Sequence, residues 1–222
     1  MENRFFVPSS LLKMDRRVLL LAASSVALAG CGSLLGPGEA SQIYVLKPAA
    51  PTPPGGAPVT WALDVLIPSA ADALDTQRIA LTRGDTTLDY YANAVWPDRL
   101  PLLVQTALLS AFQDSGRIQA VSREQDALYA DYTLDVDVRD FSAHYSDPDG
   151  APRVTVTLVC QMAMAKGRKV VANFTASQSA PASINSVQAA VQAMDTALGA
   201  ALAQITAWAL ALPPPADSAS PR

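Results

Sequence analysis

Between Tyr132 and Ala176 the chain alternates apolar and polar residues in three successive runs, separated by two turn signals. Tyr132, Leu134, Val136 and Val138 take one phase and Asp135, Asp137 and Arg139 the other. Phe141 breaks the phase, as a β-bulge does. Ser146-Asp147-Pro148-Asp149-Gly150 is a strong turn, and Val154, Val156, Leu158, Cys160, Met162 and Met164 make the next apolar face. Lys166-Gly167 turns the chain again, and Val170, Ala172, Phe174 and Ala176 continue it. A period of two sustained this long predicts an antiparallel meander with one face against a core.

What flanks the meander must supply that core. Trp61 to Ile67 alternates and stops at Pro68, which predicts a strand. Arg78 to Leu81 and Leu88 to Tyr91 read as two short strands joined at Gly84-Asp85, a hairpin signal. Pro97-Asp98 opens a helix whose apolar stripe is Leu100, Leu103, Val104, Ala107, Leu108, Ala111 and Phe112, with Gly116 where a helix C′ residue belongs. Ile118 to Val121 is a further short strand. A last helix runs from about Asn185 to Leu210, striped by Val187, Val191, Met194, Leu198, Leu202 and Ile205 and stopped by Pro213-Pro214-Pro215. The expected fold is α+β: a two-layer domain, with a mixed, mostly antiparallel sheet and two amphipathic helices on one face.

The first thirty residues read as an address. Lys13, Arg16 and Arg17 precede the apolar run Val18 to Leu28. A spanning helix needs roughly 20 apolar residues, so this run has the size of a signal-peptide core instead. It ends in Leu28-Ala29-Gly30-Cys31, which resembles the bacterial lipobox. The resemblance implies cleavage before Cys31 and attachment of lipid to its thiol. Gly32, rather than Asp, in the second mature position implies export to the outer membrane. The thirteen residues before Met14 are atypical of a signal, so Met14 is an alternative start. The expected organisation is a signal peptide over 1–30, a Pro/Gly-rich linker over 31–59, one domain over 60–212 and a polar tail over 213–222. Fully extended, the linker reaches roughly 90 Å. Its apolar interruption, Ile43-Tyr44-Val45-Leu46, reads as a short edge strand pinned to the domain; a peptide offered to a partner is the other reading.

Charge and chemistry narrow the function classes. A net charge of −4 disfavours nucleic acid as a partner. With Cys31 lipidated, Cys160 is a single thiol on an apolar strand face, so a buried inert side chain is expected. One cysteine and one histidine, His144, make a zinc site improbable, and no metal or cofactor is expected. His144 reads as an exposed loop residue beside a turn. Asp135 and Asp137 share a strand face and could in principle do acid–base work, but alternation with apolar residues beside Arg139 favours a solvated face. Asp75 and Arg78 read as a surface ion pair, with a contact in the assembly as the other reading. Tyr90, Tyr91 and Trp96 cluster before the first helix, either as core packing or as a partner-docking surface. No nucleophile with its base is legible, so the chain is not expected to be an enzyme.

The order of these pieces resembles the ABC-type transport auxiliary lipoprotein family. The resemblance rests on Tyr44-Val45-Leu46 after the lipobox, Leu74-Asp75-Thr76-Gln77-Arg78-Ile79, Leu88 to Trp96, Ser115-Gly116-Arg117-Ile118, Val138-Arg139-Asp140-Phe141, Phe174 and the final helix with Trp208. It implies an outer-membrane-anchored partner of an ATPase, a permease and a mammalian-cell-entry (MCE) domain subunit in the periplasm, in systems associated with phospholipid transport. The implied role is a non-catalytic tether or adaptor. A periplasmic lipid-binding carrier is the alternative, and an envelope hydrolase a weaker one. MCE-domain proteins form rings, so a homo-oligomer is compatible with the resemblance.

Overall fold

The computed structural model describes residues 40–49, 55–84, 86–126 and 129–215. The signal region, Cys31 and the end of the tail lie outside the described residues. The compact unit begins at Ser41, so the second half of the expected linker includes a stretch packed onto the domain.

The strands are β1 (Gln42–Ile43), β2 (Val59–Val65), β3 (Ser69–Ala70), β4 (Arg78–Arg83), β5 (Thr87–Val95), β6 (Ile118–Arg123), β7 (Tyr132–Tyr145), β8 (Arg153–Met164) and β9 (Val170–Pro181). The helices are α1 (Leu100–Asp114) and α2 (Val187–Leu210). All nine strands join one sheet. β7 organises it. One edge of β7 pairs antiparallel with β8 from Tyr132 to His144, and β8 pairs antiparallel with β9. The other edge is shared end to end by β2, β3 and β4, all parallel to β7. β6 then flanks β2, β5 flanks β4, and β1 flanks β5. The long pairings are antiparallel, and the short ones on the shared edge are parallel.

The bulge expected at Phe141 is present as a register shift between Val138 and Asp140. It moves the buried face from Leu134, Val136 and Val138 to Phe141, Ala143 and Tyr145. The strand therefore continues through His144, which is a half-buried strand residue and not the exposed loop residue expected from its polar neighbours. β9 likewise runs on to Pro181, because its polar residues face outward while Ala176 and Ala180 stay buried. Asp135 is exposed and Asp137 only partly covered. Asp137 pairs with Arg139 at 3.1 Å, the solvated arrangement.

Both helices end on local chemistry. Gly116 has φ +62°, the left-handed C′ position that glycine takes without strain, and Ser115 Oγ donates to the Phe112 carbonyl at 2.6 Å. Ser186 Oγ accepts from the Ala189 N–H at 3.1 Å, capping α2. Along α2 the buried residues include Ala189, Ala190, Ala193, Ala197, Gly199, Ala201 and Ala209. Small side chains let the helix lie close to β8 and β9, with Trp208 stacked on Phe174 at 5.4 Å. Tyr132 Oη donates to the Pro213 carbonyl at 2.8 Å, tying the chain after α2 back to the start of β7.

Candidate functional site

Two places stand out by chemistry: the aromatic cluster around β5, and the segment from Ser41 to Ala49 that crosses the helices. The three aromatics singled out in the sequence separate in space. Trp96 is 2% exposed, edge-to-face with Phe141 at 6.3 Å, and cannot touch a partner in this fold. Tyr91 and Tyr90, adjacent on an extended strand, point to opposite faces. Tyr91 Oη lies 2.9 Å from Tyr145 Oη, which donates to Asn185 Oδ1 at 3.0 Å. Burial first, and the Tyr145 hydrogen bond second, push the Tyr91 phenol well above its ordinary range. It is a neutral link between β5, β7 and the approach to α2. Tyr90 Oη donates to the Ala73 carbonyl at 3.0 Å, and its ring lies 3.7 Å beneath the Arg78 guanidinium. The ion pair expected between Asp75 and Arg78 is not formed. Asp75 takes the Nε of Arg99 at 2.7 Å and its Nη2, and Arg99 is the N-cap residue of α1. The fold brings Arg99 over Asp75, while Tyr90 claims Arg78.

Sequence reading missed a second cluster. Asp140, Ser142 and His144 fall on one strand phase, two apart, and meet Thr82 of β4. His144 Nε2 is 2.9 Å from Asp140 Oδ2, and Nδ1 is 2.8 Å from Thr82 Oγ1. Ser142 Oγ donates to Asp140 Oδ1 at 2.5 Å and lies 3.2 Å from the same His144 Nε2. A serine triad needs the imidazole to bridge serine and carboxylate through different nitrogens. Here both crowd one nitrogen, and the other holds Thr82. The arrangement cross-links β4 to β7. The period-two spacing was the signal that could have revealed it. Cys160 is fully buried, and desolvation pushes its thiol up to about 12, so it is inert at neutral pH.

The segment from Ser41 to Ala49 acts as a strap. β1 pairs in parallel with β5, and the Tyr44 N–H donates to the Val95 carbonyl at 2.8 Å. Tyr44 and Leu46 pack against the core. The Lys47 N–H donates to Asp195 Oδ1 of α2 at 2.6 Å. Two residues on, the Ala49 carbonyl passes so close to Gly199 that a Cβ there would sit 2.5 Å from its oxygen. Glycine is required at this crossing by a close backbone approach. Between strap and helices lies a cavity of about 360 Å³, lined by Val45, Leu46, Pro48, Leu103, Ala107 and Leu202 among others.

Asp195 is half-buried. Desolvation raises its pKa, opposed by the Lys47 N–H. A folded-state pKa above the unfolded value means that its contribution to stability is fullest in acid and is lost as pH rises through the folded value. Asp195→Asn keeps an acceptor for Lys47 without the buried charge. The variant is therefore expected to equal or exceed the wild type in stability at pH 7, with the gap closing below the carboxylate range. Urea unfolding at pH 7 and pH 3.5 measures this; a variant less stable at pH 7 would show that the charge itself holds the strap.

Among the described residues no group of three metal-ligating side chains converges, and no helix is long and apolar enough to cross a membrane.

The family model for the ABC-type transport auxiliary lipoprotein component matches residues 44–206. An uncharacterised protein of Bradyrhizobium diazoefficiens is 30% identical over 184 residues, 82% of this chain. The chain spans about half of that relative, 48% of its length. A crystal structure of a Xanthomonas campestris protein of the DUF330 family superposes with a TM-score of 0.71 at 29% identity, covering 77% of this chain and 95% of that one. A second crystal structure, of an uncharacterised protein, gives 0.62 at 14% identity over 77% of this chain and 99% of its own, a likeness of fold alone.

Proposed function

The chain belongs to the family of ABC-type transport auxiliary lipoprotein components, and from that premise we propose that it is a lipid-anchored, non-catalytic adaptor at the periplasmic face of the outer membrane. Cys31 carries the lipid, and Leu28, Ala29 and Gly30 direct its processing. The partner is the MCE-domain periplasmic subunit of the ABC system, and the cargo class is phospholipid.

The observation that carries this reading is the strap. Only nine residues separate Cys31 from Ser41, where the chain becomes part of the folded unit. The ten Cα-to-Cα steps from Cys31 to Ser41 extend over roughly 35 Å at most. An anchor on so short a lead holds the domain at the bilayer. The polar clusters support the adaptor role: Asp140, Ser142, His144, Tyr91 and Tyr145 all spend their hydrogen bonds on one another or on adjacent elements. A single acyl chain gives marginal binding, so a stable anchor needs more than one.

Cys31→Ala is expected to abolish incorporation of labelled palmitate and to move the protein out of the outer-membrane fraction. Palmitate labelling that survives the substitution removes the anchor from this reading. The cavity beneath the strap favours one second reading, a carrier that holds an acyl chain there, since its volume falls in the range of small-molecule sites. A phospholipid retained through native purification distinguishes carrier from adaptor.

A further inference from the structure

Charge is unevenly placed on this acidic chain. No Asp or Glu occurs between Asp149 and Asp195, whereas Arg153, Lys166, Arg168 and Lys169 do. Three of these cations fall within the five residues that turn β8 into β9. All three are exposed, and among the described residues none forms an ion pair. Gly167 has φ +82° and Arg168 φ +52°. Tight hairpin turns need such left-handed residues, and glycine supplies them freely; an arginine there is strained. The fold thus keeps a cation at the turn where a glycine would be more comfortable.

Apolar surface lies beside the charge. Val170 is 46% exposed and Val171 42%. The Ala165 N–H donates to the Asp131 carbonyl at 2.9 Å, and Tyr129, two residues before Asp131, is 83% exposed. Arg168 and Tyr129 are residue types that interfaces favour, and the flanking lysines add the charge that steers an acidic partner.

The register says where this tip points. Met164 is opposite Tyr132, so the turn projects beyond the first residue of β7. The chain enters the sheet elsewhere. Gln42 lies opposite Ala94, Val95 opposite Arg78, and Leu81 opposite Ala143, which puts Ser41 level with the C-terminal third of β7. Along β7 the two levels are roughly 30 Å apart.

We propose that the β8–β9 tip is the docking surface for an acidic patch on the adaptor's protein partner, with Lys166, Arg168 and Lys169 meeting carboxylates and Val170, Val171 and Tyr129 supplying the apolar contact. This rests on the adaptor reading above and names its contact surface. A bilayer is the poorer occupant. The lead from the proposed anchor joins the domain at Ser41, roughly 30 Å along β7 from this tip, so the tip lies at the other end of the sheet from the point of attachment.

The test uses the full lipoprotein in neutral detergent and the cognate periplasmic subunit immobilised. Wild-type binding is expected to weaken steeply with salt. The triple variant Lys166→Ser, Arg168→Gly, Lys169→Ser is expected to bind at least tenfold more weakly with a flat salt response, while melting no lower than the wild type because glycine relieves the turn. Val170→Ser with Val171→Ser should weaken binding and leave the salt slope intact. A triple variant that binds like the wild type overturns the docking surface and leaves the adaptor reading standing. A wild type that fails to bind overturns both. Protection of Lys166 and Lys169 from acylation by phosphatidylglycerol micelles, and not by the subunit, overturns the proposal in favour of a lipid contact.

Discussion

Trp96→Ala should destabilise the domain by about 3–5 kcal/mol, the range for removing a fully buried large aromatic. The indole closes the core where β5 hands over to α1, edge-to-face with Phe141 beside the β7 bulge. Its loss leaves a void that cannot readily collapse, because the Trp96 backbone N–H stays fixed to the Gln77 carbonyl at 2.7 Å and α1 begins four residues later. For a domain of this size the melting temperature should fall by on the order of 10 °C. Tyr90→Phe, which deletes only the hydroxyl donated to Ala73, should cost about 1 kcal/mol. Thermal and urea unfolding of the two variants measure the contrast. A Trp96→Ala protein as stable as Tyr90→Phe would place the indole outside the core.

Gly199→Val should lift the strap. The first added carbon already meets the Ala49 carbonyl oxygen at 2.5 Å and its carbon at 3.1 Å, and both are backbone atoms that no rotamer change can move. The strap is the easier part to displace, since β1 is two residues long while α2 is packed along β8 and β9. Amide exchange at Tyr44 and Lys47 should speed up at least tenfold, and protease sites between 41 and 58 should open. Global stability should fall by about 1–3 kcal/mol, the usual cost of overpacking. Unchanged exchange at Lys47 would mean that the contact with α2 does not hold the strap down. The same variant tests the proposed anchor geometry, because releasing the strap lengthens the lead between Cys31 and the domain from nine residues to the full run up to Val59, where β2 begins.

Much of the fold is legible in the sequence because its signals are local. The alternation of β7 and β8, the phase break at Phe141, the C′ glycine at Gly116 and the stripes of both helices each depend on neighbours a few residues apart. What escapes is non-local. Nothing near Ser69-Ala70 says that two residues will pair with Asp137 and Val138. Nothing in Asp75 predicts Arg99 over Arg78, since the choice is made by Tyr90 taking Arg78. His144 looked like a loop residue because its neighbours are polar, and only the bulge puts it in a strand phase with Asp140 and Ser142. The strap is legible only in part: Ile43-Tyr44-Val45-Leu46 reads as an edge strand pinned to the domain, as its pairing with β5 has it, but the prolines after it read as spacer even though Pro48 is partly covered. The candidate site was the least legible part. Trp96 is core, Tyr90 and Tyr91 serve the fold, and the exposed cations of the β8–β9 turn were read only as a turn.

The arrangement around β7 has a consequence for the order of folding. β2, β3 and β4 have no common partner until β7 arrives, at least 49 residues after the last of them ends in the case of β4. β7 in turn is bare on its other edge until β8 follows. The N-terminal half therefore cannot close a sheet of its own, and contacts so distant in sequence form slowly. On the proposed export route that delay is useful: a chain whose central strand comes late stays threadable while its leading half is already crossing the membrane, and it completes its fold only after the whole domain is through.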